Sequence, residues 1–420
     1  MPPVESSELI ELQIGAVANG GWCVARHDGR VVFVRHTLPG ERVRARVTQE
    51  TKNFLRADAV EILEASPDRV QAPCPFAGPG RCGGCDWQHA SLPAQRRLKA
   101  EVVQEQLRRL AGIERDVVVE EVPGAPDGLG WRTRVQFAVR RDGVIGLRKH
   151  RSHQIEPIDE CLIAHPQVEA LGIERKRWPG ATGVEAIASA GTGDRLAVLS
   201  SRGRARVPRM DAPVRLVSGK REDKPPFVRE EAAGRLWQVS GSGFWQVHPG
   251  AAETLAAAVL DTLEPRKGDI AVDLYCGAGL FAGVLGEAVG SDGLVVGIES
   301  EGQAVRDARF NLRDLPHVSV ERGEVEQVLD QIKFGRGKST LNRADLVVLD
   351  PPRTGAGRDV VKRVAELAGR RIAYVSCDPA TLARDLAFFS EYGWTLSALR
   401  AFDAFPMTQH VECVATLIRG

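Results

Sequence analysis

Cys377 stands where an apolar run, RIAYVSC, meets Asp378-Pro379, a pair that predicts the start of a helix. It could be a buried spacer, a metal ligand or a nucleophile. A cysteine just ahead of a helix N-terminus feels the positive end of the dipole, so its thiol is expected to ionise more easily, with Asp378 opposing this somewhat. Further along, Glu412 sits in the otherwise apolar VECVATLI. Burial there raises a carboxyl pKa and suits it to act as a base near neutral pH, whereas its structural alternative is a salt bridge. Cys276 lies inside a glycine loop and reads as a small packing residue. Cys413 follows Glu412 and, on a strand, faces the opposite side.

Four of the eight cysteines form a second group. CPFAGPGRCGGC places Cys74, Cys82 and Cys85 on one tight loop, and DECLIAHP supplies Cys161. Four thiolates complete either a tetrahedral zinc site or a [4Fe-4S] cluster. Zinc ribbons usually pair two CxxC knuckles and this chain has one, which favours the cluster and leaves zinc as the rival. Four protein thiolates leave no open iron position for radical chemistry.

A third group surrounds DLYCGAGLFAG, where glycines at a strand-to-helix turn let the backbone approach a ligand. Gly277-x-Gly279-x-x-Ala282 fits the relaxed dinucleotide fingerprint. Glu299, ending the next strand, can accept hydrogen bonds from both ribose hydroxyls of an adenosine cofactor. Either NAD or S-adenosylmethionine satisfies that much. Asp350-Pro351-Pro352 separates them, because two prolines stiffen a loop that faces a flat base, and dehydrogenases have no need of one there. FGRGKST teases a phosphate loop, but Ile332 stands where the Walker spacing needs Gly, and no helix is expected from Leu341 onward.

The elements that position these groups follow from pattern. A chain of 420 residues predicts about two to four domains. Its 56 basic residues against 55 acidic ones exclude a histone-like coat or an acidic tail, so any nucleic-acid surface is local. The N-terminal residues carry no signal-like apolar region and no run is long enough to span a bilayer, so a soluble, cytoplasmic protein is expected. Short strands over 8 to 64 predict a small β-barrel exposing Arg26, Arg30, Arg35, Arg42, Arg44, Arg46, Lys52 and Arg56. A helix is expected over 93 to 110, a cationic hairpin around Asp142-Gly143, and a charged linker over 219 to 227. From Leu236 strands and helices alternate, predicting a doubly wound parallel sheet. TLSALRAFDAF and VECVATLIRG are too close for a crossover helix and should pair antiparallel at the sheet edge.

In order along the chain, CGGC with its flanking cysteines, GFWQVHP, DLYCGAGLF, LDPPR, SCDPATLARDL and HVEC resemble the RNA uridine C5 methyltransferases, the 5-methyluridine-forming enzymes of tRNA and ribosomal RNA. The resemblance covers nearly the whole chain. It implies an α/β protein: a TRAM-type, OB-like barrel over 1–66, a central α+β domain with a [4Fe-4S] cluster over 67–230, and a Rossmann-like S-adenosylmethionine methyltransferase domain over 231–420. Carried over by motif, Cys74, Cys82, Cys85 and Cys161 would ligate the cluster, and Gln246, Tyr275, Glu299 and Asp350 would line the cofactor site. Cys377 would be the nucleophile and Glu412 the base. RNA would be the partner, with no membrane and no protein partner implied. The target base must leave its stack, and Arg132, Arg134, Arg148, Lys149 and Arg151 are candidate backbone contacts. Two rivals remain: an amine methyltransferase, in which an aromatic residue typically stands at Arg353, and an RNA-binding or folding factor that keeps the scaffold without needing Cys377.

Overall fold

Alternating burial in the first strands rolls them into a barrel. The computed structural model describes residues 9–218, 225–241, 243–331, 334–336, 339–341 and 343–420. It opens with β1 (Leu9–Gln13), β2 (Val17–Ala18), β3 (Trp22–His27), β4 (Arg30–Arg35), β5 (Arg42–Glu50) and β6 (Phe54–Glu64), ordered β1-β5-β6-β4-β3-β2. β1 pairs with β5, while the chain just after it turns to β3 through Gly15 N–H to Val24 O (2.8 Å) and Val24 N–H to Ala16 O (2.9 Å), which closes the barrel. A side chain at Gly15 would press against the Val24 carbonyl at 2.9 Å. Leu12, Val32, Val34, Val43 and Ala57 fill the interior. Most of the expected arginines face outward, but Arg35 does not. It is 6% exposed and runs beneath the cysteine loop to Asp86 at 3.6 Å. Arg30, Arg42 and Arg44 pair with acidic neighbours.

The middle of the chain begins with α1 (Leu92–Gln106), where Ser91 Oγ accepts from Ala94 N–H and Pro93 sits in the first turn. A π turn, Leu107–Ala111, extends it to Gly112, whose φ of 65° ends the helix. After β7 (Val119–Glu121) comes a six-stranded sheet. It contains β8 (Arg134–Val139), β9 (Ile145–Arg148), β10 (Ile155–Pro157), β11 (Ala181–Ala188), β12 (Arg195–Ser201) and β13 (Arg215–Ser218), with α2 (Pro166–Glu169) between β10 and β11. β8 and β9 form the expected hairpin, with Gly143 at φ 82° in its turn. Trp131, Phe137, Ile163 and Trp178 are the core behind this sheet. Of the linker expected at 219 to 227, residues 219–224 lie outside those described. A hairpin of β14 (Phe227–Ala232) and β15 (Arg235–Ser240) follows.

The remainder alternates helix and strand: α3 (Ala251–Leu263), β16 (Ile270–Leu274), α4 (Leu280–Val289), β17 (Leu294–Glu299), α5 (Gly302–Asn311), β18 (Val318–Arg322) and α6 (Val325–Leu329). A small hairpin, β19 (Phe334–Arg336) with β20 (Ser339–Leu341), occupies the FGRGKST region, so the described residues there form no phosphate loop. Then come β21 (Ala344–Leu349), α7 (Gly357–Leu367), β22 (Ala368–Ser376), α8 (Pro379–Glu391), β23 (Trp394–Asp403) and β24 (Glu412–Arg419). The sheet order is β18-β17-β16-β21-β22-β24-β23-β7, with β18 through β22 parallel. Covered on both faces, the central strands are buried nearly end to end, which is why they read as unbroken apolar runs. The order reverses between β16 and β21, and such a switch point opens a crevice at the carboxyl ends of the strands.

The two last strands do pair antiparallel, but they are not the edge. β24 lies between β22 and β23, and the outermost strand is β7, which pairs parallel with β23. α1 comes with it. Fully buried Lys99 donates to Asp403 Oδ1 (2.5 Å) and to Phe405 O (3.0 Å), joining the start of the chain to its end. Among the described residues no helix is long and apolar enough to cross a membrane.

Candidate active site

Cys377 follows the last residue of β22, and α8 begins two residues later. Asp378 caps that helix as expected, its Oδ1 accepting from Ala380 N–H (3.0 Å) and Thr381 N–H (2.9 Å). β24 opens at Glu412, and the antiparallel register pairs Ser376 with Cys413. One further step along that register sets Cys377 opposite Glu412 and leaves Cys413 in the core on the other face, as the sequence suggested. Asp350 follows β21, its N–H donating to Leu274 O at 3.3 Å.

The electrostatics correct one expectation. Burial, and then the carboxyls of Glu412 and Asp350, push the Cys377 thiol up to about 12, against the opposing pull of Arg353. The dipole does not win because burial and the two carboxyls outweigh it, and Asp378, whose side chain already takes the first free N–H groups of α8, also raises the thiol. The resting thiol therefore keeps its proton. Glu412 is 3% exposed, and burial followed by the nearby Asp350 charge holds its carboxyl well above the ordinary range. Burial raises Asp350 to about 7. A raised Glu412 is what its apolar surroundings predicted.

The loop from Ala404 to Val411, which delivers Glu412, is held from three directions. Asp86 and Trp87 N–H both donate to Met407 O (3.0 Å each), and Gln409 N–H donates to Asp86 Oδ2 (3.2 Å). Gln95 Oε1 accepts from Met407 N–H (2.7 Å), and Lys99 reaches Phe405 O. Sequence reasoning missed Gln95, Lys99 and Asp86. Gln95 and Lys99 lie four apart on the same stripe as Leu98 and Val102, so polar residues on the apolar face of α1 were the available signal. His410, also unforeseen, sits edge-on to Phe405 with centroids 6.0 Å apart, and burial lowers it to about 4, so it is neutral.

Tyr275, Glu299 and Asp350 stand at the carboxyl ends of three adjacent strands, β16, β17 and β21. The backbone is left-handed at Tyr275 (φ 63°), Gly277 (φ 53°) and Gly279 (φ 95°). A Cβ at Gly277 would meet nothing within 4 Å, so the loop top is open, whereas one at Gly279 would fall 3.0 Å from Leu312. Glu299 Oε2 accepts from Gly277 N–H (3.0 Å) and Oε1 from Glu301 N–H (2.8 Å). Asp273, not singled out by sequence, is wholly buried. Its Oδ2 accepts from Ala282 N–H (2.7 Å), its Oδ1 has no partner, and burial raises it well above the ordinary range.

Gln246 is buried, but no hydrogen bond among the described residues ties it to the other three. Its neighbour Trp245 shares a core with Cys276 and Ala278, which sets it beside the glycine loop. The Gln246 loop hangs from β8: Thr133 N–H and Oγ1 donate to Val247 O (2.8 and 2.9 Å), and Arg134 donates to Gly243 O. Arg134, expected to meet RNA, is 8% exposed and instead braces this loop, because its strand position faces inward.

Cys74, Cys82, Cys85 and Cys161 line a single apolar cavity of about 30 Å³ together with Phe76, Leu147, Ile158 and Ile163. Gly84 N–H points at Cys82 Sγ (3.4 Å), and Gln88 Oε1 and Glu169 Oε1 accept from the N–H groups of Cys74 and Cys161. Burial raises the thiols of Cys82, Cys85 and Cys161, the last to about 12. Among the described residues no three His, Cys, Asp or Glu side chains are drawn into a ready single-ion cage. Four soft donors around one shared space are the donor set of either a zinc ion or an iron-sulfur cluster.

A family model described as tRNA (uracil-5-)-methyltransferase matches residues 235–420, and one for the TRAM domain matches residues 4–60. An uncharacterized RNA methyltransferase of Streptomyces coelicolor is 56% identical, with the alignment covering 98% of this chain and 93% of that one. A counterpart from Bifidobacterium longum is 36% identical over 99% and 98%. Among solved structures, the tRNA (uracil-54, C5)-methyltransferase of Pyrococcus abyssi, in complex with S-adenosyl-L-homocysteine, superposes with a TM-score of 0.70 at 23% identity, covering 97% of this chain and 100% of that one. The fold is shared along nearly the whole of this chain.

Proposed function

The chain belongs to the tRNA (uracil-5-)-methyltransferase family, and from that premise we propose that it moves a methyl group from S-adenosylmethionine to C5 of a uridine in tRNA or ribosomal RNA, through a covalent bond between Cys377 and C6. The observation that carries this reading is the register placing Cys377 opposite Glu412, with Asp350 beside both.

C5 of uracil is a poor nucleophile, so a sulfur must first add to C6. The thiol proton passes to the carboxyl pair, the sulfur bonds to C6, and the ring electrons move to C5 and the adjacent carbonyl oxygen. S-adenosylmethionine, when bound, supplies an electrophilic methyl group on a sulfonium sulfur. After C5 has gained the methyl group, Glu412 takes the C5 proton, the C5–C6 double bond re-forms and Cys377 departs with the electrons of its C–S bond. In this reading Glu299 would accept hydrogen bonds from the ribose hydroxyls, and Tyr275, Gln246 and the Asp350-Pro351-Pro352 loop would line the cofactor site. Cys74, Cys82, Cys85 and Cys161 would hold a [4Fe-4S] cluster, which would serve a structural rather than a reactive role.

RNA carrying 5-tritiated uridine tests the proposal. Wild-type protein with cofactor should release tritium, and Cys377→Ala should release none while still binding S-adenosylhomocysteine. Release by Cys377→Ala would remove the covalent step. No release by wild type from any RNA, including total RNA of a host lacking the protein, would sink the reaction itself and leave the RNA-binding factor as the better reading.

A further inference from the structure

We infer that Asp385 is a positioning residue for the proposed reaction: its buried carboxylate latches the loop that carries Arg353 onto α8, and so keeps a cation beside Cys377 where it eases loss of the thiol proton. The inference rests on the proposed attack by Cys377 and deepens it.

Asp385 lies on the buried stripe of α8 with Leu382, Ala383, Leu386 and Phe389, and none of its surface reaches solvent. A carboxylate in that setting is costly unless its oxygens are filled. Oδ2 accepts from Ala356 N–H (2.7 Å), Tyr374 Oη (2.7 Å) and Gly357 N–H (3.3 Å). Oδ1 accepts from Arg384 Nε (2.9 Å) and Nη2 (2.7 Å), and the same Nη2 donates to Thr354 O (2.9 Å). Burial, and then the Asp385 carboxyl, push the Tyr374 phenol well above its ordinary range, so it keeps its proton and also accepts from Ala356 N–H (3.1 Å). Ala356 offers no side-chain cap to α7, and a carboxylate from α8 takes over that task.

What these anchors hold is the loop from Asp350 to Ala356. β21 and β22 are parallel neighbours with Leu349 beside Tyr374, so the loop leaves the sheet alongside the end of β22 that delivers Cys377. Gly355 N–H donates to Pro352 O (2.8 Å), closing a turn with Arg353 and Thr354 at its corner. A Cβ at Gly355 (φ 77°) would fall 2.6 Å from Asp385 Oδ2, so only glycine seats the turn this close to the carboxylate. The charges facing Cys377 are Glu412 from β24, Asp350 and Arg353 from this loop, and Asp378 from α8, and of these Arg353 alone favours the thiolate. Arg353 is exposed, and among the described residues no hydrogen bond or ion pair fixes its guanidinium. The backbone anchors therefore decide where its charge sits.

The test reads the thiol itself. Alkylation of Cys377 by iodoacetamide at about pH 9, followed by mass spectrometry of its peptide, needs neither RNA nor cofactor, and its rate tracks the ionised fraction. Losing an adjacent opposite charge cuts that fraction about tenfold at the low end of such effects. Arg353→Met should therefore slow alkylation about tenfold and Asp385→Asn about three- to tenfold. The double variant should be no slower than Arg353→Met alone, since the two residues act in series. Loss of the Asp385 charge by itself, or a looser loop that admits more reagent, would speed the reaction instead, so the sign separates positioning from both. Arg384→Lys, at a half-exposed position, keeps its charge but loses the fork that joins Asp385 to Thr354, and should give a smaller slowing with the fold intact. In turnover with methyl-labelled cofactor, Asp385→Asn should lower kcat while S-adenosylhomocysteine affinity stays unchanged, because Asp350 hangs from Leu274 O. Unchanged or faster alkylation in folded Asp385→Asn, or additive slowing in the double variant, overturns the inference. Absence of tritium release by wild type from any RNA would remove the proposed reaction, and with it the purpose assigned to Asp385, whatever the alkylation rates show.

Discussion

Replacing Glu412 with glutamine changes one charge and one base at nearly constant shape, and the two changes act on different steps. Burial is the main cause of the high Cys377 pKa, and Glu412 is the next. Its removal therefore lowers the Cys377 pKa, and with Asp350 left to receive the thiol proton, addition to C6 should not slow. Elimination is another matter, because the amide that Glu412→Gln introduces cannot accept the C5 proton. A positioned general base contributes about 10²–10⁴-fold, equivalent to about 2.7–5.4 kcal/mol of barrier. Asp350, near enough to act on Glu412, favours the lower end of that range. The methylated adduct should then accumulate to about one per enzyme. With methyl-labelled cofactor, incorporation should show a single-turnover burst and then stall, and the denatured protein should migrate with RNA attached. Neutralising a buried carboxyl whose pKa is already raised should leave the melting temperature the same or higher, which separates chemistry from misfolding. Turnover within about threefold of wild type would refute the assignment of Glu412 as base. Absence of both burst and adduct would mean that Glu412 acts before the methyl transfer.

Glu412 must lose its proton to act as base and Cys377 must lose its own to attack, and both are held high, Cys377 at about 12 and Glu412 above its usual range, so kcat/KM should climb from neutral pH upward toward the Cys377 value. A profile that falls through this interval would contradict the assigned roles. Lys99→Met leaves Asp403 buried without its partner and should cost about 3–5 kcal/mol, whereas adding Asp403→Leu should recover most of it. At about 2.1 cal/mol/K per residue over 420 residues, a loss of about 4 kcal/mol lowers Tm by about 4–5 °C if the chain melts as one unit. Equal melting of the single and double variants would show that the pair is not coupled. Protein purified without oxygen should be brown and contain iron and sulfide, and Cys85→Ser should lose both. Because Asp86 and Trp87 hold Met407, that variant should also lose turnover while keeping cofactor affinity. Stoichiometric zinc without iron in the wild type would overturn the cluster.

The parallel core was legible because strands covered on both faces are written as unbroken apolar runs, as in IAVDL and ADLVVL. Local signals also served for the Asp378 cap and the Gly143 turn. The meeting of Cys377 and Glu412 was supplied by likeness of motif, since the β22–β24 register is a non-local property that neither strand encodes alone. Desolvation was underestimated at Cys377: the sequence shows the helix start but not the two carboxyls that gather around the sulfur. Arg35 and Arg134 look like any surface arginine on an alternating strand, and only the elements packed over them reveal their interior roles. The passage of α1 and β7 onto the far edge of the C-terminal sheet left no mark except Gln95 and Lys99 on an apolar stripe.

That passage has a consequence for how the chain is made. Lys99 and Asp403 are 304 positions apart, and β7 pairs with a strand that begins at Trp394. At about 5–20 residues per second, roughly 15–60 s separate the synthesis of α1 from that of its partner. During that interval the barrel can close and cover Ala94, Leu98 and Val102 of α1, but Ala100, Val103 and Leu107 on its other side and the edge of β7 must wait on the ribosome uncovered. A nascent chain stalled before Trp394 should therefore be the aggregation-prone and chaperone-bound form, and the edge strand should be among the last pieces of the molecule to lock into place.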